Sequence, residues 1–139
     1  MTANRKIIRP KALFDPSFHA YSQGISIGGL LFVSGQMAFL KDEKTGKRRL
    51  VGAGDITLQA KQVFKNIGEV LAEAGGSLED ITSMTVYLKD IGDLEKFCKV
   101  RKEIFGPNPP TSTAVQVSAF ADPGGLVEVN AIAILPKTD

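Results

Sequence analysis

The sequence predicts a single α+β domain in which two helices cover one face of a mixed six-stranded sheet. The length of 139 residues fits one domain and leaves little room for two. Two segments carry apolar residues at helical spacing, and the other regular segments read as strands, in the order β-β-β-α-β-α-β-β. Each amphipathic helix has one apolar face, so both helices can pack on the same side of the sheet.

The first part of the chain is predicted to form three strands. A short edge strand is expected over residues 6–9, a second strand over 21–27 and a third over 30–34. Gly28-Gly29 separates the second strand from the third and is typical of a tight hairpin turn.

The first helix is expected over residues 56–74. Its apolar residues recur every three or four positions and form one stripe: Ile56, Ala60, Val63, Phe64, Ile67, Val70, Leu71 and Ala74. Asp55 or Thr57 can cap its start, and Gly75-Gly76 ends it.

The second part of the chain alternates strand and helix signals. Residues 81–88 alternate like a half-buried strand, and a second helix is expected from about 93 to 105, with Gly106-Pro107 stopping it. A short strand over 113–117 precedes the closing strand over 126–135.

The closing strand is apolar on both faces. Val127, Val129, Ala131 and Ala133 form one face, and Leu126, Glu128, Asn130, Ile132 and Ile134 form the other. Such a pattern favours burial on both sides of the sheet. Because only two helices are available, we expect another subunit to cover the second face.

Composition and charge exclude several classes of protein. A single cysteine, Cys98, cannot form an internal disulfide, which favours a reducing, cytoplasmic compartment. Cys98 and the single histidine, His19, are too few for a usual zinc site. The N-terminus lacks the apolar core of a signal peptide, and no apolar run approaches the roughly 18 residues that span a membrane. A net charge of +2 is too weak to argue for a nucleic-acid partner.

A polar excursion over residues 41–49, with its tip expected at Thr45-Gly46, carries a basic cluster. The cluster consists of Lys44, Lys47, Arg48 and Arg49. Asp42 and Glu43 lie beside it and Gly46 interrupts it. We therefore favour a solvated hairpin tip over a phosphate-binding patch.

Four segments resemble the RidA/YjgF family in order and spacing. They are AYSQG (20–24), LLFVSGQM (30–37), SLEDITSMTVYLKDIGDLEKF (77–97) and VEVNAIAIL (127–135). The resemblance implies a trimer of chorismate-mutase-like subunits with a small-molecule cleft between neighbours. It also implies hydrolysis of reactive enamines and imines of amino acids to 2-keto acids and ammonia, with no metal or organic cofactor.

The resemblance identifies candidate site residues one at a time. Tyr21 matches the family tyrosine of the entry motif, and Glu128 matches the closing-strand glutamate that is thought to position or activate water. Ser112 stands where the family has the arginine that binds the substrate carboxylate. Serine offers a single weaker donor in place of a bidentate one, so an altered substrate range is expected.

Three further positions depart from the family pattern. Ala114 replaces a cysteine or threonine, Arg101 replaces an asparagine of the second helix, and Asn130 replaces a second glutamate. Arg101 is either an arginine at the edge of the apolar stripe or a substitute for the missing one. It projects on the same helix face as Cys98, three residues earlier.

The remaining candidates have a structural and a functional interpretation. Glu128 is either a surface carboxylate or a partly buried one suited to catalysis. Tyr21 is either a packing residue or a substrate contact, and we interpret Cys98 as a packing residue rather than a nucleophile. Ser112, Thr113 and Asn130 are polar groups suited to line the cleft.

Three functions follow from these residues. The first is hydrolytic deamination of an imine or enamine, with Glu128 handling water. The second is a non-catalytic trimer that binds a small metabolite. The third, inhibition of translation by cleavage of RNA, has little support because the chain has no pair of histidines for phosphodiester cleavage.

Overall fold

The computed structural model describes residues 4–137 and contains eight strands and two α-helices. The strands are β1 (Lys6–Ile8), β2 (Gly24–Ile27), β3 (Leu30–Gln36), β4 (Phe39–Lys41), β5 (Arg48–Leu50), β6 (Ile81–Leu88), β7 (Thr111–Gln116) and β8 (Val127–Ile134). The helices are α1 (Ile56–Glu73) and α2 (Leu94–Phe105).

Six of the strands form one mixed sheet in the order β1-β2-β3-β8-β6-β7. Only β6 and β7 run parallel, with α2 crossing between them, and the other neighbouring strands are antiparallel. The predicted fold class is thereby confirmed. The polar excursion forms a separate two-stranded hairpin, β4–β5.

The hydrophobic core lies between the sheet and the two helices. The Asp55 carboxylate caps α1 by accepting from the Leu58 amide at 3.0 Å, and Gly75, with a φ of 86°, follows its end. The α1 stripe is buried as predicted, apart from the half-buried Ala74 at its end. Phe64 of α1 stacks against Phe97 of α2, with ring centroids 5.7 Å apart, so the helices pack on each other as well as on the sheet.

The other face of the sheet is open in the single chain. Large apolar side chains lie on it with a substantial part of their surface exposed, including Phe32 at 43% and Ile134 at 56%. The closing strand alternates as predicted: Phe32 pairs with Ile132 of β8, and Ile134 lies two residues further along β8 on the same face. The apolar second face is therefore present, and it has no cover within residues 4–137.

Two features differ from the sequence prediction. The strand expected over residues 21–27 begins only at Gly24, because the preceding residues form hydrogen bonds outside the sheet ladder. The strand expected over 113–117 begins at Thr111, because it pairs in parallel with β6 from Ser83 onward. Within residues 4–137, no helix is both long and apolar enough to cross a membrane.

Candidate active site

A pocket of about 410 Å³ lies on the open side of the sheet, beside the β4–β5 hairpin. Glu128 of β8, Tyr21 and the Ser34-Gly35 stretch of β3 line it, together with Arg48 of β5. Two of the residues matched to the family, Tyr21 and Glu128, are thus brought together. His19 also lines the pocket.

Glu128 holds the only carboxylate among the residues that line this pocket. It pairs with Tyr87 across β6, and its sequence neighbours Val127 and Val129 point into the core, so its own side chain points to the open face. Burial raises the pKa of the Glu128 carboxyl, and the positive charge of Arg48 partly opposes that rise. A half-buried carboxyl with a raised pKa is suited to exchanging protons with a bound substrate.

Gly35 makes room for the Glu128 carboxylate. The pairing of β3 with β8 shifts between Val33 and Gln36, and Gly35 lies in that irregularity. A Cβ at Gly35 would lie 2.7 Å from Oε1 of Glu128 and 3.0 Å from its Cδ. Only glycine therefore leaves the carboxylate in its present position.

Two buried glutamines fix this wall of the pocket. Nε2 of Gln36 donates to Oε1 of Gln23 at 2.7 Å, and Nε2 of Gln23 donates to the carbonyl oxygen of Phe14 at 3.0 Å. Next to them, the Ser34 hydroxyl donates to the carbonyl oxygen of Ser22 at 2.6 Å. Because buried amides are costly to leave unpaired, this network holds the segment after Tyr21 against β3.

Tyr21 lies at the mouth of the pocket with 37% of its surface exposed. Burial raises the pKa of its phenol, Arg48 lowers it, and the negative charge of Glu128 raises it further. The phenol therefore stays protonated at neutral pH and can donate a hydrogen bond to a ligand.

Arg48 corrects the interpretation of the basic cluster. Lys44, Lys47 and Arg49 are exposed, as expected of a solvated hairpin, whereas Arg48 is half-buried. Its guanidinium carbon lies 4.5 Å from the ring centroid of Phe39 and 5.5 Å from that of Phe14. The sequence prediction missed this residue because only the packing of the hairpin on Phe14 and Phe39 turns it inward.

A second cluster of candidate residues surrounds Arg101. Nη1 of Arg101 donates to Oγ of Ser112 at 2.5 Å, and Nη2 lies 3.5 Å from Sγ of Cys98. The guanidinium also lies over the Phe97 ring, 5.3 Å from its centroid. The predicted proximity of Cys98 and Arg101 is confirmed, and Arg101 contacts Ser112, the position that the sequence prediction aligned with the family arginine.

The two clusters lie on opposite faces of the sheet within one chain. Ser112 pairs with Met84 of β6, and Arg101 contacts the Met84 sulfur at 3.9 Å. Glu128 pairs with Tyr87, three residues further along the same strand. Side chains an odd number of residues apart on a strand point to opposite faces of the sheet. Ser112 therefore lies on the face that the helices cover, where Arg101 of α2 contacts it, and Glu128 lies on the other face.

Thr113 and Asn130 lie on the Glu128 face, outside the pocket. Both pair with Thr85 of β6, which places them in one row across the sheet. Thr113 is exposed, and the side-chain oxygen of Asn130 is buried without a hydrogen-bond partner among residues 4–137. Neither residue lines the pocket that holds Glu128, so the single chain does not bring them together as one site.

Comparison with protein families gives a match to endoribonuclease L-PSP, the RidA/YjgF family, over residues 13–135. This chain belongs to that family. A RutC family protein of Pyrococcus abyssi is 43% identical over 113 residues, which is 81% of this chain and 84% of the relative. The 2-iminobutanoate/2-iminopropanoate deaminase of Bos taurus is 35% identical over 130 residues, or 94% of this chain and 90% of the relative.

The fold is also that of solved family members. The crystal structure of E. coli TdcF with bound serine superimposes with a TM-score of 0.80 at 29% identity. The match covers 94% of this chain and 99% of that one. At least one similar protein therefore binds a small amino acid on this fold.

Two buried amides of α1 support the pocket of this RidA/YjgF chain from behind. The Asn66 side chain donates to the carbonyl oxygens of Met37 at 3.2 Å and Phe39 at 2.8 Å, which anchors the start of the β4–β5 hairpin. Gln59 accepts from the Leu126 amide at 2.8 Å and fixes the loop before β8. The sequence prediction missed both, although polar residues on the buried side of an amphipathic helix are a signal for such tethers.

Proposed function

We propose that this protein is a hydrolytic deaminase of imine or enamine intermediates, with Glu128 as its catalytic residue and an altered substrate range. The observation that carries the proposal is the half-buried Glu128 carboxyl, whose pKa is raised by burial, in a pocket that Tyr21 also lines. The deaminase names of similar mammalian proteins, at 33–35% identity, support it.

The proposed reaction adds water across the C=N bond of an imine. Glu128, as the carboxylate, accepts a proton from water while the water oxygen bonds to the imine carbon and the C=N electrons move to nitrogen. The same proton then passes to nitrogen and gives a carbinolamine. Glu128 next accepts the proton of the carbinolamine hydroxyl and delivers it to nitrogen as the C=O bond forms and the C–N bond breaks, so that a 2-keto acid and ammonia leave. A carboxyl whose pKa lies nearer to neutrality performs these proton transfers more effectively. No cofactor takes part in this scheme.

The test compares the protein with Glu128→Gln, which keeps the shape of the side chain and removes its basicity. The substrate is 2-aminoacrylate generated enzymatically in the assay, and keto-acid release is followed. We expect the variant to lose about 10²- to 10⁴-fold in rate, the usual contribution of a general acid–base group. Equal rates for the two proteins, after subtraction of spontaneous hydrolysis, would exclude Glu128 as the catalytic residue.

The pH dependence of kcat/KM distinguishes a Glu128 that acts as a base from a Glu128 that has only a structural role. If Glu128 must be ionised to activate water, kcat/KM rises with pH through its raised pKa. Glu128→Gln should abolish that limb of the profile and keep any limb that belongs to the substrate.

We also propose that the protein is a homotrimer with its ligand cleft between subunits. The exposed apolar face, with Phe32 at 43% and Ile134 at 56% exposure, supports burial against other copies. Light scattering should then give three times the chain mass of 14.9 kDa. A monomer at micromolar concentration would contradict this assembly.

A non-catalytic metabolite-binding protein is the second candidate. Ser112 favours it, because its hydroxyl is already bonded to Arg101 and no arginine stands at that position. A thermal-shift screen of small metabolites discriminates the two, since a ligand that binds only the native state raises its stability. Binding without measurable turnover would favour this candidate.

A ribonuclease is the third candidate, and the description of the family carries that name. His19 and Glu128 line one pocket and could act as an acid–base pair. The sequence prediction considered only a pair of histidines and so missed this pair. The weak net charge of +2 argues against it. RNA cleavage by purified protein that His19→Ala abolishes would establish it.

A further inference from the structure

The Arg48 side chain is the least expected member of the pocket. It comes from a three-residue strand, β5, in a hairpin in which Lys44, Lys47 and Arg49 are exposed. It shares the inner face of that strand with Leu50, which packs against Phe14, Met37 and Phe39. Apolar contacts of β5 thus hold the guanidinium at the pocket, beside the Glu128 carboxyl.

Arg48 contacts two aromatic rings and forms a side-chain hydrogen bond with the Tyr21 phenol. The rings of Phe39 and Phe14 lie 4.5 Å and 5.5 Å from the guanidinium carbon, a cation–π arrangement. An arginine carries five N–H donors in the plane of its guanidinium, so the bond to Tyr21 leaves other donors for a ligand. Glu128 interacts with Arg48 through its charge, without a hydrogen bond between them.

A rigid cation with available donors beside a half-buried carboxyl is suited to bind an anionic group. The planar fork of arginine matches both oxygens of a carboxylate. Stacking on two rings fixes its orientation before a ligand arrives, which lowers the entropic cost of binding.

We propose that Arg48 binds the carboxylate of the substrate in the Glu128 pocket, in place of the arginine that is absent at Ser112. The proposal rests on the proposed function and specifies its substrate class: small 2-imino acids, whose products are 2-keto acids. Bound in this way, the carboxylate lies against Arg48 and the adjacent imine carbon faces the side chain of Glu128.

Arg101 is the competing candidate, and its contacts weigh against it. Within one chain, its guanidinium already donates to Ser112 and lies on the helix-covered face of the sheet, whereas Glu128 lies on the other face. An Arg101 supplied by a neighbouring copy across the proposed cleft is the alternative that the Arg101→Met variant tests. Arg48 lines the same pocket as Glu128 within one chain.

The experiment measures binding of 2-oxobutanoate, a stable keto acid, by isothermal titration or NMR titration. Arg48→Met removes the charge and keeps an unbranched chain to cover Phe39. Arg49→Met is the matched control, since it makes the same change one residue away on the exposed face of the hairpin. We expect Arg48→Met to weaken binding about tenfold or more, because a partly desolvated arginine–carboxylate contact is lost, while Arg49→Met binds like the parent.

A neutral probe isolates the role of charge. 2-Butanone has the same carbon skeleton without the carboxylate, and its binding should not differ between the parent and Arg48→Met. Arg48→Lys keeps the charge but loses the bidentate fork, so it should recover part of the affinity for 2-oxobutanoate. Thermal unfolding of each variant shows whether the hairpin still packs, and Arg48→Gln serves if Arg48→Met does not fold.

The proposal is overturned if Arg48→Met binds 2-oxobutanoate like the parent, or if Arg101→Met loses as much affinity while Arg48→Met loses none. Its failure is distinguishable from failure of the proposed function. If Glu128→Gln abolishes turnover while Arg48→Met leaves KM unchanged, only the proposed role of Arg48 is contradicted. Binding that depends on Arg48, without turnover by the parent protein, contradicts only the deaminase.

Discussion

The Glu128 pocket and the Arg101 cluster each bring an arginine next to a residue that the sequence singled out, with opposite consequences. In the cluster, Arg101 bonds to Ser112 and contacts Cys98, so its donors are used within the chain. In the pocket, Arg48 stacks on Phe39 and Phe14 and affects Glu128 only through its charge. Arg101 is thus held within its own cluster, whereas Arg48 lies beside the Glu128 carboxyl in a pocket that can take a ligand.

The proposed role of Arg48 implies that a substitution in a family motif can be compensated from outside the motif. Ser112 stands where a carboxylate-binding arginine is expected, and the obvious substitute in the sequence is the nearby Arg101. The structure instead carries a guanidinium into the pocket from a hairpin that the motif does not include. The three predictions that follow break or sharpen this contrast, from the largest expected effect to the smallest.

Gly35→Ala should damage the pocket without unfolding the protein. The new Cβ would lie 2.7 Å from Oε1 of Glu128, and the flexible end of that side chain must move rather than the backbone. Displacing a catalytic group by about 1 Å can cost roughly a hundredfold in rate. We expect kcat/KM for the imine to fall by about ten- to a hundredfold with little change in the melting temperature.

Gly68→Ala is the control for this change. Gly68 lies within α1, and its nearest contact to an added Cβ is 3.9 Å away, so its substitution should leave kcat/KM unchanged. If Gly35→Ala retains full activity, the position of the Glu128 carboxylate does not determine the rate.

Arg101→Met should affect stability more than ligand binding. It removes the hydrogen bond to Ser112 and the stacking on Phe97, interactions that together contribute about 1 kcal/mol to the free energy of unfolding. Chemical denaturation measures that loss of stability. Titration with 2-oxobutanoate should give an affinity within about threefold of the parent, which corresponds to a change in binding free energy of less than about 1 kcal/mol. A larger loss of affinity than in Arg48→Met would make Arg101 the substitute for the missing arginine.

The pH dependence of stability should show the smallest effect. Burial raises the pKa of Glu128 above its ordinary value of 4.5, so the native state binds the proton more tightly than the unfolded chain does. The stabilisation from the protonated form is fully present below that ordinary value and is lost as pH rises through the raised pKa. The melting temperature of the parent relative to Glu128→Gln should therefore decline as pH rises through this window, in calorimetry or thermal scans. A difference that grows with pH would mean that the native state favours the carboxylate.

Local patterns in the sequence predicted most of the fold. The helix expected over residues 56–74 is α1 (Ile56–Glu73), and the strand expected over 81–88 is β6 (Ile81–Leu88). Periodicity works here because each segment packs one face on the same core, so its own residues reveal its type and its inward side. For the same reason, the sequence placed Glu128 on the face of β8 opposite Val127 and Val129.

Contacts between distant parts of the chain decided the rest. Alternation in β5 groups Arg48 with Leu50 but cannot say what they face, and that depends on Phe14, which lies more than 30 residues earlier in the sequence. The buried pair Gln23 and Gln36 likewise has no local signal, because the bond between the two amides joins separate segments and Gln23 donates in turn to the distant Phe14 carbonyl. The register of β6 with β7 and β8 puts Ser112 and Glu128 on opposite faces. By itself, the sequence determined the elements, the apolar faces and the position of the candidate carboxylate. Only the tertiary structure decided which cation accompanies that carboxylate, since pairing and packing set the distances between residues that are far apart in the chain.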